Sequence, residues 1–382
     1  MRNSIFPLLL ISFLAGCSSN APTPKKIETQ SSNNIYTGRA EQYLDGNLLN
    51  QLNKVDRIQS NTTRDYTEFG QQSKLVVDRS RKLAAVYKPL YDQLNQWALE
   101  NGNPSDLSKF GIQAAQLGGS DSKGNVLFTG YFSPVIELRH KPTGEFRYPV
   151  YRMPKCASSC PSRAQIYRGA LKGQNLELGY AANMIDPFMM EVQGSGFVHF
   201  GDDDSMQYLA YAGKNGKSYI SIGKVLIDRG EVEREKMSLK AIQEWVMRND
   251  EATVRELLEQ NPSFVFFSPQ RSFDVKGSAG IPLLPLASVA GDRSIFPMGT
   301  PILAEVPLLN ADGTWSGVHQ LRLLIVLDTG GAVKDSHLDL YHGIGPRAGL
   351  ESGHYRHFGR VWKLGLDNSR TQSPWALPPL KQ

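Results

Sequence analysis

Asp339 stands in the run His337-Leu338-Asp339-Leu340-Tyr341, where polar and apolar residues alternate. Alternation of this kind sends successive side chains to opposite faces of a strand. Such a strand buries Leu338 and Leu340 and turns an imidazole, a carboxyl group and a phenol onto one accessible face. A carboxyl group in that company can give and take a proton, which is the work of a general acid and base. Upstream, Asp328 closes the apolar run 321–327 and precedes Thr329-Gly330-Gly331, where the glycines permit a tight turn and close approach of a ligand to the backbone. The same pattern fits two solvated or loop-capping aspartates, and by itself it does not choose.

The surrounding chain must supply strands to carry these groups. Residues 75–99 place Leu75, Val76, Leu83, Val86, Leu90, Leu94 and Trp97 at helical spacing, with Pro89 as a break or kink. From Gly124 to Tyr151, short apolar and aromatic runs punctuated by Gly and Pro read as strands and hairpins, and FVHFGDDDS, YLAYAGKNGKSYISIG and KVLIDRG continue in that style. A helical interval covers 238–260 and stops before Pro262, after which SFVFF reads as a strand. PILAEVPLL leads to the turn signal Asp312-Gly313, and LRLLIVL fits a buried strand better than a short helix. The sum is a mainly β protein with flanking helices, without internal repeat or heptad.

The chain begins with Arg2, a mostly apolar stretch over 5–14, then Ala15 and Gly16, the layout of a signal peptide over 1–16 that is too short for a permanent membrane helix. Leu14-Ala15-Gly16-Cys17 resembles a bacterial lipobox, which implies lipidation at Cys17; the alternative is an ordinary secretory signal with a chance cysteine. Ser18 rather than Asp at the next position points to the outer membrane, with the body facing the periplasm. Residues 17–75, rich in Ser, Asn, Gln and Thr at first, read as a tether and a loosely structured lead into the fold. Cys156 and Cys160 can pair as a disulfide in an oxidising compartment; half a zinc site is the other reading, but no second pair completes it. A formal net charge of +5 without any Lys/Arg run gives no reason to expect nucleic acid.

Several runs then combine. FTGYFSP, VQGSGFVHFG, YAGKNGKSYISIGKVLIDRGE, LEQNPSFVFF, DRSIFPMGT and DTGGAVKDSHLDLYHGIGP, in that order over roughly 105–363, resemble the membrane-bound lytic murein transglycosylases of the MltA type. The resemblance implies a double-psi β-barrel domain with flanking helices from 76–133 and 270–370, a smaller β domain inserted at 134–269, and a groove between them. It implies cleavage between N-acetylmuramic acid and N-acetylglucosamine of peptidoglycan without water, leaving a 1,6-anhydromuramoyl end. The family's H-[FL]-D-[IL]-Y aspartate falls on Asp339, its acid/base, and the D-x-G-G-A aspartate falls on Asp328 in a supporting role. The barrel is also similar to that of certain endoglucanases, where asparagine occupies the place of Asp328, which speaks against Asp328 as proton donor.

One carboxyl group suffices for such a reaction. Ordinary glycosidases need two because water or a second carboxylate must attack. Here the sugar's own C6 hydroxyl attacks C1, at an effective concentration far above that of any bimolecular partner. Asp339 must start protonated near neutral pH, so desolvation and the neighbouring Asp328 are expected to raise its proton affinity.

Glycan contact is expected from Thr129, Gly130 and Tyr131, from Gln193, Gly194 and Ser195, from Tyr211, Lys214 and Asn215, and from Gly330 and Gly331, each of which also has a plain reading as a turn or edge-strand residue. Expected partners are peptidoglycan glycan strands and, through the lipid, the outer membrane; wall-synthesis complex proteins are further candidates. A mild basic balance is compatible with a polymer whose peptides carry carboxylates. No cofactor and no metal is expected, although His337 and Asp339, with His199, would form a His-x-Asp metal set. A peptidoglycan-binding lipoprotein with a double-psi barrel and no catalysis is the other functional reading.

Overall fold

The computed structural model describes residue 40 and residues 47–156 and 160–367; the signal stretch and Cys17 lie outside them. The stretch that leads into the fold is more structured than its composition predicts. It contains β1 (Leu52–Val55), β2 (Thr63–Asp65) and the start of α1 (Thr67–Arg79). α2 (Arg81–Leu99) follows directly. The break between the helices falls at Ser80, whose side chain accepts from Leu83 N, and Pro89 sits inside α2. A good N-cap decides the boundary there, because α2 recovers the cost of its proline by burying Tyr87, Leu90, Tyr91, Leu94 and Trp97.

The main sheet is assembled from distant parts of the chain. Its strands are β1, β3 (Ile112–Leu117), β4 (Val126–Ser133), β11 (Ser288–Ala290), β12 (Pro301–Leu309), β13 (Trp315–Asp328), β14 (His337–Ile344), β15 (Arg356–Gly359) and β16 (Val361–Leu366), in the order β1-β3-β16-β12-β13-β11-β14-β4-β15, with β2 alongside β13. The β11–β13, β14–β4 and β2–β13 pairs are parallel, the others antiparallel. The two flanks of this order curl together, since Glu305 N on β12 donates to Arg360 O and a Cβ on Gly359 would meet the Glu305 carbonyl.

α1 and α2 cover one face. Phe69, Val76, Leu90, Leu94 and Trp97 pack with Leu303, Leu321, Leu323, Ile325 and Trp362. The buried Gln72 is fully engaged, donating to Pro282 O and accepting from Leu284 N and Ser288 Oγ, as a buried amide must be. The opposite core contains Phe128, Val289, Ile302, Leu324, Val326, Leu338 and Leu340.

Between β4 and β11 the chain builds a second assembly. β5 (Val135–Leu138), β8 (Gly196–Phe200), β9 (Ser205–Lys214) and β10 (Val265–Gln270) form a sheet in the order β10-β9-β8-β5, and β6 (Tyr148–Tyr151) pairs with β7 (Glu177–Ala181). Its helices are α3 (Arg163–Tyr167), α4 (Ile185–Gln193), α5 (Ile222–Asp228), α6 (Leu239–Arg248) and α7 (Glu251–Glu259). Two expectations are corrected here. The KVLIDRG run is helical: Ser221 caps it by accepting from Lys224 N, and the i, i+4 pair Ile222 and Leu226 packs with Trp245, Leu257 and Leu258. The interval 238–260 is two helices, because Asp250 accepts from Thr253 N and starts α7 afresh.

The second assembly is braced by Arg163 and Glu191. Their side chains are buried and paired at 2.8 and 3.2 Å, while Arg163 also donates to Asn261 O and Ser263 O and Glu191 accepts from Val265 N. A buried ion pair is tolerable only when its remaining donors and acceptors are met in this way. Cys156 and Cys160 are joined as a disulfide. No helix among the described residues is long and apolar enough to cross a membrane.

Candidate active site

β14 alternates as its sequence requires. Leu338 and Leu340 are buried in the core while His337 and Asp339 are half-buried on the other face. Tyr341 departs from the expectation of an accessible phenol: it is 1 % exposed. Tyr131 lies against its ring, at 5.2 Å between centroids, and Phe197 and Tyr208 from β8 and β9 share its cluster, so the second assembly seals what β14 alone would leave open.

Register places the polar groups in one row. Ala290 on β11 pairs with Asp328 on one side and with Asp339 on the other; Asp339 pairs with Thr129 on β4, and Thr129 with Arg356 on β15. Directly paired residues share a face, so Asp328, Ala290, Asp339, Thr129 and Arg356 stand in line across five strands. Asp328 joins the row through a bulge. Val289 pairs with Val326 but Ala290 pairs with Asp328, so Leu327 is skipped; without that irregularity the buried Leu327 would face Ala290 and Asp328 would point to the other side. Arg356 is a member of the row that the sequence reading passed over, because nothing local in Tyr355-Arg356-His357 marks it.

The two carboxyl groups have different surroundings. Asp328 Oδ1 accepts from Ser278 N at 2.9 Å and Thr329 N at 2.8 Å, and Oδ2 accepts from Tyr131 Oη at 3.2 Å. Burial raises its pKa, and these donors hold the rise in check. Asp339 has fewer supports. Thr129 Oγ1 is 2.6 Å from Asp339 Oδ1 and 2.8 Å from His337 Nε2, and His337 Nδ1 is 3.2 Å from Ala332 O. Burial pushes the Asp339 carboxyl up to about 7; the hydrogen bond that the Thr129 hydroxyl can give the ionised carboxylate opposes this, and the charge of Asp328 adds to it. Burial lowers the pKa of His337 and the contact with Ala332 O works against that. Asp339 is therefore the carboxyl group poised to exchange a proton near neutral pH, and Asp328 the one anchored by backbone amides.

Gly130 is needed for closeness. A Cβ there would lie 2.8 Å from both His342 Nε2 and Ser352 Cα, so β4 could not sit against β14 and α8 (Gly345–Gly353) with any side chain at that position. Tyr131 holds Asp328, as described. In the second assembly, Gln193 Oε1 accepts from Phe132 N at 3.0 Å, tying the end of α4 to β4. Gly194 ends α4 in the left-handed region at φ +83°, and Ser195 hydrogen-bonds the Tyr208 side chain. Tyr211 and Lys214 are exposed on β9.

Asn215 is different, for it is 3 % exposed. Its amide donates to Pro161 O and Pro262 O and accepts from Phe264 N and Lys217 N, which makes it a brace of the loops rather than a groove contact. Gly330 packs so closely that a Cβ would lie 2.6 Å from Val333 Cγ2, whereas Gly331 faces open space.

His199 hydrogen-bonds Asp204 and groups neither with His337 nor with Asp339; among the described residues, the three ligand-bearing groups that come together are the exposed His140, Asp202 and Asp203. A separate cleft of ≈ 930 Å³ is lined by Arg57, Arg64, Glu305, His319 and Arg360 among others, and no residue of the row lines it.

The chain is similar to known proteins. The family model described as "MltA specific insert domain" matches residues 127–161 and 156–268, and that of the "3D domain" matches 287–365. The membrane-bound lytic murein transglycosylase A of Vibrio cholerae is 74% identical over 344 residues, covering 90% of this chain and 94% of that protein. The protein of the same name from Escherichia coli K12 is 46% identical over 356 residues, 93% of each. A crystal structure of E. coli MltA with bound chitohexaose superposes with a TM-score of 0.81 at 47% identity, covering 86% of this chain and 98% of that one.

Proposed function

The chain belongs to the family of membrane-bound lytic murein transglycosylase A, and we propose that in it Asp339 alone serves first as acid and then as base. It is a peptidoglycan lytic transglycosylase, an enzyme of cell-wall turnover that cuts the β-1,4 bond between N-acetylmuramic acid and N-acetylglucosamine. The observation that carries the assignment of the acid is the contrast within the row: Asp339 is raised to about 7, while backbone amides hold the neighbouring Asp328.

In the first step the Asp339 proton passes to the glycosidic oxygen as its bond to muramic acid C1 breaks. In the second, the carboxylate takes the proton of the C6 hydroxyl as that oxygen bonds to C1, giving the 1,6-anhydro ring and restoring the acid. Asp328 assists by its charge, which favours return of the proton to Asp339. The barrel residues 76–133 and 270–370 and the inserted residues 134–269 border the groove that receives the strand. Thr129, Gly130 and Tyr131 shape its floor beside Asp339; Gln193, Gly194 and Ser195 set its far wall; Tyr211 and Lys214 offer a ring and an ammonium group to the glycan or its peptides, and the backbone at Gly330 and Gly331 is open to a sugar. The chitohexaose held by the E. coli protein supports a glycan strand as ligand.

Membrane association goes with the family, and lipid attachment at Cys17 in the outer membrane is our reading of how it is achieved. Acyl labelling of the wild type against Cys17→Ala tests it, and an unlabelled wild type overturns it. The catalytic reading is tested on purified sacculi by mass spectrometry. Wild type should release anhydromuropeptides and Asp339→Asn none; release by Asp339→Asn would remove the assignment.

A further inference from the structure

One proton has two claimants at Thr129. Its Oγ1 lies 2.6 Å from Asp339 Oδ1 and 2.8 Å from His337 Nε2, and a hydroxyl has a single hydrogen to donate. The other end of the imidazole settles the direction. Nδ1 is 3.2 Å from the carbonyl oxygen of Ala332, which can only accept, so Nδ1 carries the ring hydrogen. Burial favours the neutral ring, and in a neutral ring with Nδ1–H the Nε2 atom is an acceptor. The Thr129 hydrogen therefore goes to His337, and the Thr129 oxygen turns its lone pairs to Asp339. Only a protonated carboxyl group satisfies them.

We propose that His337 is a positioning residue for the reaction: by accepting the Thr129 hydroxyl hydrogen it makes Thr129 an acceptor for the Asp339 acid and so holds Asp339 in its protonated form between turnovers. This rests on the reading of Asp339 as the acid. The chain of bonds runs from Asp339 O–H to Thr129 Oγ1, from Thr129 O–H to His337 Nε2, and from His337 Nδ1–H to Ala332 O.

Through the cycle the relay turns but transfers nothing. When the Asp339 proton leaves with the glycosidic oxygen, the new carboxylate needs a donor, and the Thr129 hydroxyl rotates to it. Nε2 then loses its hydrogen bond. The carboxylate state is thus penalised, which favours capture of the C6 hydroxyl proton and return to the starting arrangement. Thr129 and His337 keep their own hydrogens throughout.

The other ionisable groups around the row do not compete for the Thr129 hydrogen. Asp328, two strands away, acts on Asp339 by its charge. Tyr131 on β4 donates to Asp328, and Tyr341 on β14 meets Ser133. Arg356 stands across from Thr129 on β15, and a guanidinium group cannot accept. In the loop before β14, Asp335 N is held by Asp292, beside Lys334, and β11 contributes no ionisable residue.

The test is the pH dependence of anhydromuropeptide release from sacculi. In His337→Phe the Thr129 hydrogen is free to stabilise the Asp339 carboxylate, so the alkaline limb should move to lower pH by about 0.5–1 unit, the size of one hydrogen bond made by one protonation state. Thr129→Ser keeps the relay and should keep the wild-type limb. In a Thr129→Val background, adding His337→Phe should leave the limb where it was, because His337 acts only through that hydroxyl. A limb unmoved by His337→Phe, or moved equally in both backgrounds, overturns the proposal. The 15N chemical shifts of His337 in the wild-type chain give a reading that depends on no variant: a hydrogen on Nε2 at pH 6 overturns it as well. If Asp339→Asn is inactive while the limb stays put, the relay alone fails; if Asp339→Asn is active, the underlying assignment fails.

Discussion

Asp328 and Asp339 are held apart by one residue, Ala290, which pairs with both of them across β11. Two interstrand steps of ~4.8 Å separate their backbones by roughly 10 Å. The carboxyl groups therefore have different hydrogen-bond partners, yet the charge of one still reaches the other. The division of labour follows: backbone amides favour the anion at Asp328, and burial favours the acid at Asp339.

Asp339→Asn should abolish catalysis and stabilise the fold above neutral pH. Loss of a general acid and base costs about 10²–10⁴-fold in rate. The folded carboxyl titrates near 7 against 3.8 for the ordinary group, so the folded chain binds the extra proton and its stability falls as pH rises from about 4 to 7. Removing the group abolishes that loss, a gain on the order of 4 kcal/mol at pH 8 and little at pH 4. Thermal melts at the two pH values check the sign; equal shifts at both would contradict it.

Asp328→Asn should lower the proton affinity of Asp339, because the neighbouring negative charge is one cause of its rise. The alkaline limb of the rate profile moves to lower pH, and activity at pH 5 falls less than at pH 7.5. Rate measurements on sacculi at both values decide this. A limb displaced to higher pH would show that Asp328 does not act by its charge.

Gly130→Ala should damage both stability and rate. The added methyl meets His342 Nε2 and Ser352 Cα at 2.8 Å, and overpacking of this kind costs about 1–3 kcal/mol. Since Thr129 is the adjoining residue, displacement of β4 also carries the hydroxyl away from Asp339. A denaturant midpoint equal to that of the wild type would mean that α8 yields freely.

Gln193→Ala removes the acceptor of Phe132 N, the tie between α4 and β4. An unmet partly buried N–H costs about 1–3 kcal/mol. Substrate binding should suffer more than chemistry, because Gln193 meets β4 at Phe132, three residues along from Thr129, and hydrogen-bonds neither Asp339 nor Thr129. Comparison of KM and kcat on glycan strands reads the difference, and a fall in kcat alone would place Gln193 among the reacting groups.

The sequence by itself determined the local facts. Period-two alternation in HLDLY obliges Leu338 and Leu340 to face one way and Asp339 the other, whatever surrounds the strand. The apolar run before Asp328 fixed a buried strand, and the ordered motifs carried the family. It misled where long-range contacts decide: KVLIDRG has the apolar content of a strand but becomes α5 because Ser221 caps it and Trp245 waits for Ile222 and Leu226. Pro89 marked a break that Ser80 made instead.

What only the tertiary structure decided is the row. Asp328, Ala290, Asp339, Thr129 and Arg356 come from separate strands, and no spacing along the chain encodes their alignment. The skipped Leu327 turns Asp328 toward Asp339, and Phe197 and Tyr208 from a remote segment close over Tyr341. Register and burial arise when strands meet, and it is burial, acting on a side chain whose identity the sequence had already supplied, that leaves Asp339 holding its proton.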